Sequence, residues 1–232
     1  MNLRRYALVF VASLTGALSV LPVYAQVADN ICGNPFVNSH GPFDYRIERG
    51  AKLKIVEDYH FNPRVEALIS GQSATIEGDL AYTLRAFPNH HRALISMLNL
   101  STRPKLARPV DAPPMECYFF RASRFAPDDP IVRMIYAKFL AARNRKPEAL
   151  QQLTAGIEAA KDNPFTHYNL GLVYFEMGEP ELALKQAHRA MALGLQRPEL
   201  KQRLEALGKW VEPSAAAAPS GAASAAASAP PG

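Results

Sequence analysis

At 232 residues and 48% hydrophobic content, the chain suits one domain with an ordinary core, or one domain carrying appendages. Its formal charge of +5 includes Arg4 and Arg5 near the start; without them 24 basic side chains face 21 acidic ones, a net +3. That balance carries no argument for nucleic-acid binding, and the Lys and Arg residues form no dense run.

Residues 1–25 read as an address. A basic start, "MNLRRY", leads into the apolar "ALVFVASLTGALSVL", and "PVYA" ends on a small residue before Gln26. This order is that of a secretory signal peptide cleaved after Ala25. The apolar run is shorter than the roughly 20 residues of a spanning helix, although an uncleaved anchor is the alternative. The expectation is an exported, periplasmic protein. Cys32 and Cys117 are the only cysteines, with no Cys-x-x-Cys. In an oxidising compartment such a pair reads as a disulfide, the alternative being two buried thiols.

Residues 26–61 form an extension expected to pack on the helices that follow. "CGNPFVNSHGPFDYR" is rich in turn formers, and "KLKIVE" (Lys52–Glu57) alternates briefly like a short strand. Residues 212–232 contain, after Glu212, only Ala, Ser, Pro and Gly, which predicts a disordered tail.

Between them, residues 62–211 carry helix signals. "NPRVEALI", "DPIVRMIY" and "NPFTHYNL" each begin with Asn or Asp followed by Pro. The first residue caps orphan amides, and proline suits the next position because its missing N–H has no helical partner. Pro130 and Pro164 lie 34 residues apart; in the same register Ala149 pairs with Ala183, Asn144 with Gly178, and Leu153 with Ala187. A fixed period of this length predicts stacked repeats. "NHHRALISMLNL" and "CYFFRASRFAPDD" supply an earlier pair, interrupted by the Pro-rich "STRPKLARPVDAPP". "LAYTLRAFPNHH" ends a more degenerate unit, and "PELKQRLEALGKW" reads as a capping helix.

These residues resemble the tetratricopeptide repeat (TPR) family, whose pattern is W-x2-L-G-x2-Y followed by A-x3-F. Leu170, Gly171, Tyr174 and Ala183 match it, while His167 stands at the Trp place and Ala187 at the Phe place. In the preceding unit Tyr136, Ala137 and Leu140 occupy the Leu, Gly and Tyr places, followed by Ala149 and Leu153. The resemblance implies an all-α superhelix of helical hairpins. In it Gly171 and Ala183 let helices approach, and Leu170, Tyr174 and Leu182 supply apolar area.

The resemblance also implies a binding groove lined by the first helix of each unit. The corresponding positions here are Arg92, Asn99, Met134, Lys138, Phe165, Tyr168, Asn169 and Phe175. Amides, cations and aromatics of this kind suit an extended peptide, and some family members clamp a terminal carboxylate with Asn, Lys and Arg. The alternative is that Phe165 and Phe175 are buried beneath the N-terminal extension. His90-His91 and Asp128-Asp129 read as helix-start residues rather than metal ligands, and no nucleophile, zinc or phosphate-loop motif is found. The expected function is therefore a non-enzymatic, cofactor-free adaptor for a protein or peptide segment in envelope assembly or transport. Two other readings compete: an accessory subunit docked on a membrane complex, and a hydrolase or metal protein using residues 26–70.

Overall fold

The computed structural model describes residues 31–103 and 111–213. Residues 1–30, 104–110 and 214–232 lie outside the described residues, and with them the expected signal peptide and all but the first two residues of the expected tail. Ten helices and no strand are found among the described residues. They are α1 (Ala51–His60), α2 (Pro63–Glu66), α3 (Ile76–Ala86), α4 (His91–Leu100), α5 (Glu116–Phe125), α6 (Pro130–Ala141), α7 (Lys146–Ala160), α8 (Pro164–Glu176), α9 (Pro180–Ala192) and α10 (Pro198–Ala206).

The capping logic of the sequence is realised at three helix starts. Asn62, Asp129 and Asn163 each accept backbone amide hydrogens, with proline next in line. Helix ends follow a second rule. Asn144 and Gly178, paired in the 34-residue register, both adopt positive φ, at 59° and 72°. In each case the next amide reaches back across the turn: Arg145 N–H donates to the Leu140 carbonyl at 3.1 Å, and Glu179 N–H to that of Tyr174 at 2.9 Å. This left-handed closure reverses the chain at once, so α6/α7 and α8/α9 fold as tight antiparallel hairpins. Successive first helices α4, α6 and α8 touch one another, α5 packs on α6, α7 on α8, and α10 closes the stack against α8 and α9. One apolar core runs through the array, filled by Leu94, Met97, Phe139, Leu140, Leu153, Leu170 and Tyr174, all nearly sealed from solvent.

Gly171 shows why a small residue is needed at that seam. A Cβ built there would lie 2.5 Å from Leu200 Cδ2, 3.3 Å from the Ala183 carbonyl oxygen and 3.3 Å from Gln186 Cβ. The glycine thus seats both α9 and the terminal α10 on α8. His167 is buried beside it, its Nε2–H donating to the Lys161 carbonyl at 2.7 Å and its Nδ1 pairing with the Gln186 side-chain amide at 2.8 Å. Leu182 departs from expectation: it is 38% exposed and adds little to the seam, where Ala183, Gln186, Ala187 and Ala190 are the buried residues.

The N-terminal segment corrects the sequence reading in one respect. Lys52–Glu57 belongs to helix α1, not to a strand. The buried residues are Leu53 and Val56, three apart on one helical face, while Ile55 is exposed. Helix α1 packs on α3, whereas "NPRVEALI" makes only the single turn α2. Cys32 and Cys117 are bonded, with 4.9 Å between their Cα atoms. Buried Asn89 completes the attachment: its Oδ1 accepts from Tyr45 N–H, and its Nδ2 donates to Asp44 at 2.7 Å and Asp129 at 3.1 Å. Arg46 joins Asp44 and Asp128, and His91 meets Asp129 at 2.8 Å. The extension is therefore seated on the turns before α4 and α6. No helix among the described residues is long and apolar enough to cross a membrane.

Candidate interaction face

The stacking of α4, α6 and α8 places most of the candidate residues on successive, mutually packed helices. Arg92 and Asn99 on α4, Lys138 on α6, and Phe165 and Asn169 on α8 are exposed. Ile95, one helical turn after Arg92, adds an apolar group that is 45% exposed. Phe165 is 54% exposed, so it is not covered by the extension, which is anchored around α3 and the turns before α4 and α6. Phe175 is half-buried against the core, with the Arg203 guanidinium 5.9 Å from its ring.

Two candidates are not on the surface. Met134 and Tyr168 are about as buried as any core residue, at 6% and 5% exposure. Their position in each first helix turns into the array, where both join the continuous core. Tyr168 is further closed by the terminal helix: the Arg197 guanidinium lies 5.7 Å from its ring and its hydroxyl faces Glu199 at 3.4 Å. The same Arg197 lies 5.7 Å from the Phe165 ring.

The cations of the face are engaged by the chain's own carboxylates. Arg92 pairs through two nitrogens with Glu66 on α2 and lies 3.5 Å from Glu57 on α1. Lys138 meets Glu176 at 2.9 Å. The Glu66 hydrogen bonds raise the Arg92 pKa above its ordinary value, and the His90 hydrogen bond lowers that of Glu57. The single exposed Lys138–Glu176 pair is worth about 0–1 kcal/mol, whereas Arg92 is held by two hydrogen bonds to Glu66 and by nearby Glu57. The acidic partners were not legible in the sequence. Glu66 and Glu57 precede Arg92 by 26 and 35 positions, and only the placement of α1 and α2 against α3 and α4 brings them together.

The result is a mixed surface of exposed amides, two neutralised cations, an aliphatic side chain and an aromatic ring. Asn99 and Asn169 present side-chain amide donors and acceptors at the surface, and Ile95 and Phe165 present apolar groups. Among the described residues no group of three or more His, Cys, Asp or Glu side chains is placed to hold a metal ion. His90 and His91 are instead tied to Glu57 and Asp129. Comparison with protein-family models, with curated proteins and with solved structures gave no match.

Proposed function

We propose that the chain is an exported, non-enzymatic adaptor of the tetratricopeptide type, holding an extended segment of a partner protein along the exposed face of α4, α6 and α8. The observation that carries this reading is the exposure of Arg92, Ile95, Asn99, Lys138, Phe165 and Asn169 on three consecutive, mutually packed first helices. The 34-residue register and the buried Leu170, Gly171, Tyr174 and Ala183 support the family assignment. The Cys32–Cys117 bond supports an oxidising compartment. Removal of residues 1–25 is part of the proposal, and an intact Met1 on protein from the native host would contradict it.

A second reading rests on a different surface. Ile47, Ile55, Tyr59 and Ile69 in and beside the extension are 51–79% exposed, which suits permanent docking of this end on a larger complex. In-cell photocrosslinking separates the two. A photoreactive residue at Asn99 or Asn169 is expected to capture a partner, while one at Lys185, exposed on the outer helix α9, is not. Capture from Ile47 or Tyr59 with none from Asn99 and Asn169 would replace the groove reading with the docked one.

A further inference from the structure

A cavity of about 390 Å³ lies away from that face, between α3, α5, the disulfide-tethered segment and residues 111–113. Its size is within the range of small-molecule sites. Two arginines line it, Arg85 from α3 and Arg121 from α5. Among the described residues neither reaches a carboxylate, a condition they share with Arg64, Arg133 and Arg143, but these two are brought together on the wall of one cavity. Arg121 is half-buried, and its hydrogen bond is to a neutral acceptor, the Cys32 carbonyl at 3.1 Å. Among the described residues Arg85 has an aromatic contact, 5.8 Å from the centre of the Tyr82 ring, and no carboxylate partner. A guanidinium carries five N–H donors, and among the described residues most of those on Arg85 and Arg121 meet no protein acceptor. Burial lowers the Arg121 pKa, and the nearby Arg85 lowers it further.

The rest of the wall says what else a ligand would need. Tyr82, Tyr118, Ala81 and Leu84 supply apolar and aromatic surface. His60, stacked on Tyr82 at 3.8 Å, is fixed through Nδ1 by the fully buried Asp79 at 2.9 Å. Asp79 is held in turn by the amides of Gln72, Ser73 and Ala74, so this side of the cavity is rigid. Glu77 also lines the cavity, eight residues before Arg85 and hence about 12 Å away along α3. Its Oε1 accepts from the Tyr118 hydroxyl at 3.4 Å, and Asp111 is the other carboxylate on the wall. The disulfide contributes as well, because Cys117 stands one helical turn before Arg121 and its partner Cys32 supplies the carbonyl that orients it.

We propose that this cavity binds a small organic carboxylate with an aromatic or apolar body, the carboxylate accepting hydrogen bonds from Arg85 and Arg121 and the body lying against Tyr82 and Tyr118. The site is independent of the peptide-binding reading. Isothermal titration of the full mature protein at constant ionic strength tests it with three probes: phenylacetate, its neutral analogue phenylacetamide, and inorganic phosphate. Phenylacetate is expected to saturate with a Kd of about 1 mM or tighter, at least about tenfold tighter than phenylacetamide. Arg85→Gln and Arg121→Gln should each weaken it by about tenfold or more, whereas Lys185→Gln on α9 leaves it unchanged. Arg85 is exposed, so Arg85→Gln decides the matter by itself if Arg121→Gln misfolds. No saturation by phenylacetate, equal binding of the amide, or full binding by Arg85→Gln would overturn the proposal. Saturation by phosphate without phenylacetate would overturn the carboxylate assignment.

Discussion

Substituting Gly171 by alanine tests whether the terminal helix is seated on that glycine. In an isolated helix the change would stabilise by about 1 kcal/mol, since glycine is the poorer helix former. Here the new Cβ would lie 2.5 Å from Leu200 Cδ2, with two further atoms at 3.3 Å. Leu200 is 1% exposed, so it can reach an ordinary contact only by leaving its rotamer or lifting α10 by about 1 Å. Overpacking of this kind costs about 1–3 kcal/mol, leaving a net loss of about 1 kcal/mol. Removing the obstruction should reverse the sign. In a Leu200→Ala background, itself weaker by about 2–5 kcal/mol, Gly171→Ala should stabilise by about 0.5–1 kcal/mol. Urea unfolding of the four proteins, followed by circular dichroism, gives the coupling directly, expected at about 1–3 kcal/mol. Additive effects, or a single Gly171→Ala variant stabilised by the full helix-propensity gain, would show that Leu200 does not occupy that seat.

Three further outcomes follow from the N-terminal attachment. His90 is fully buried, its Nδ1 accepts the Ala93 N–H at 3.2 Å and its Nε2–H donates to Glu57, so protonating Nδ1 would break the cap of α4. Burial lowers its pKa, and the unfolded chain takes up the proton first. Stability should therefore fall as pH drops below about 6.5, a dependence absent from His90→Asn in pH-dependent melts. For Asp44, burial opposes ionisation, yet hydrogen bonds from Arg46 and Asn89 hold the carboxyl at about 2. That contribution is present above its unfolded value of about 3.9 and is lost as pH falls toward 2, a second acid step that Asp44→Asn should remove. The disulfide closes a separation of 85 residues, worth about 4–5 kcal/mol at most in the chain-entropy account. Reduction should lower the urea midpoint by at most that free energy divided by the m-value, and an unchanged midpoint would contradict the bridge.

The helices were legible because their signals are local. An Asn or Asp before Pro marks a start, Asn144 or Gly178 supplies the left-handed turn at an end, and the 34-residue register ties one hairpin to the next; each acts within a few positions of the chain. The strand expected at Lys52–Glu57 failed for the same reason. Alternation over six residues cannot distinguish a strand from a helix whose buried residues are Leu53 and Val56, and contact with α3 decides between them. The candidate face was legible as a register but not as a chemistry. The sequence placed Met134 and Tyr168 beside Lys138 and Asn169, whereas packing against neighbouring helices put the first two in the core and left the others outside. The carboxylates that neutralise Arg92 and Lys138, and the cavity that gathers Arg85 and Arg121 near Cys32, join segments 26 to 89 positions apart. Electrostatic pairing and cavity shape depend on distance in space, and those distances exist only once the hairpins have stacked.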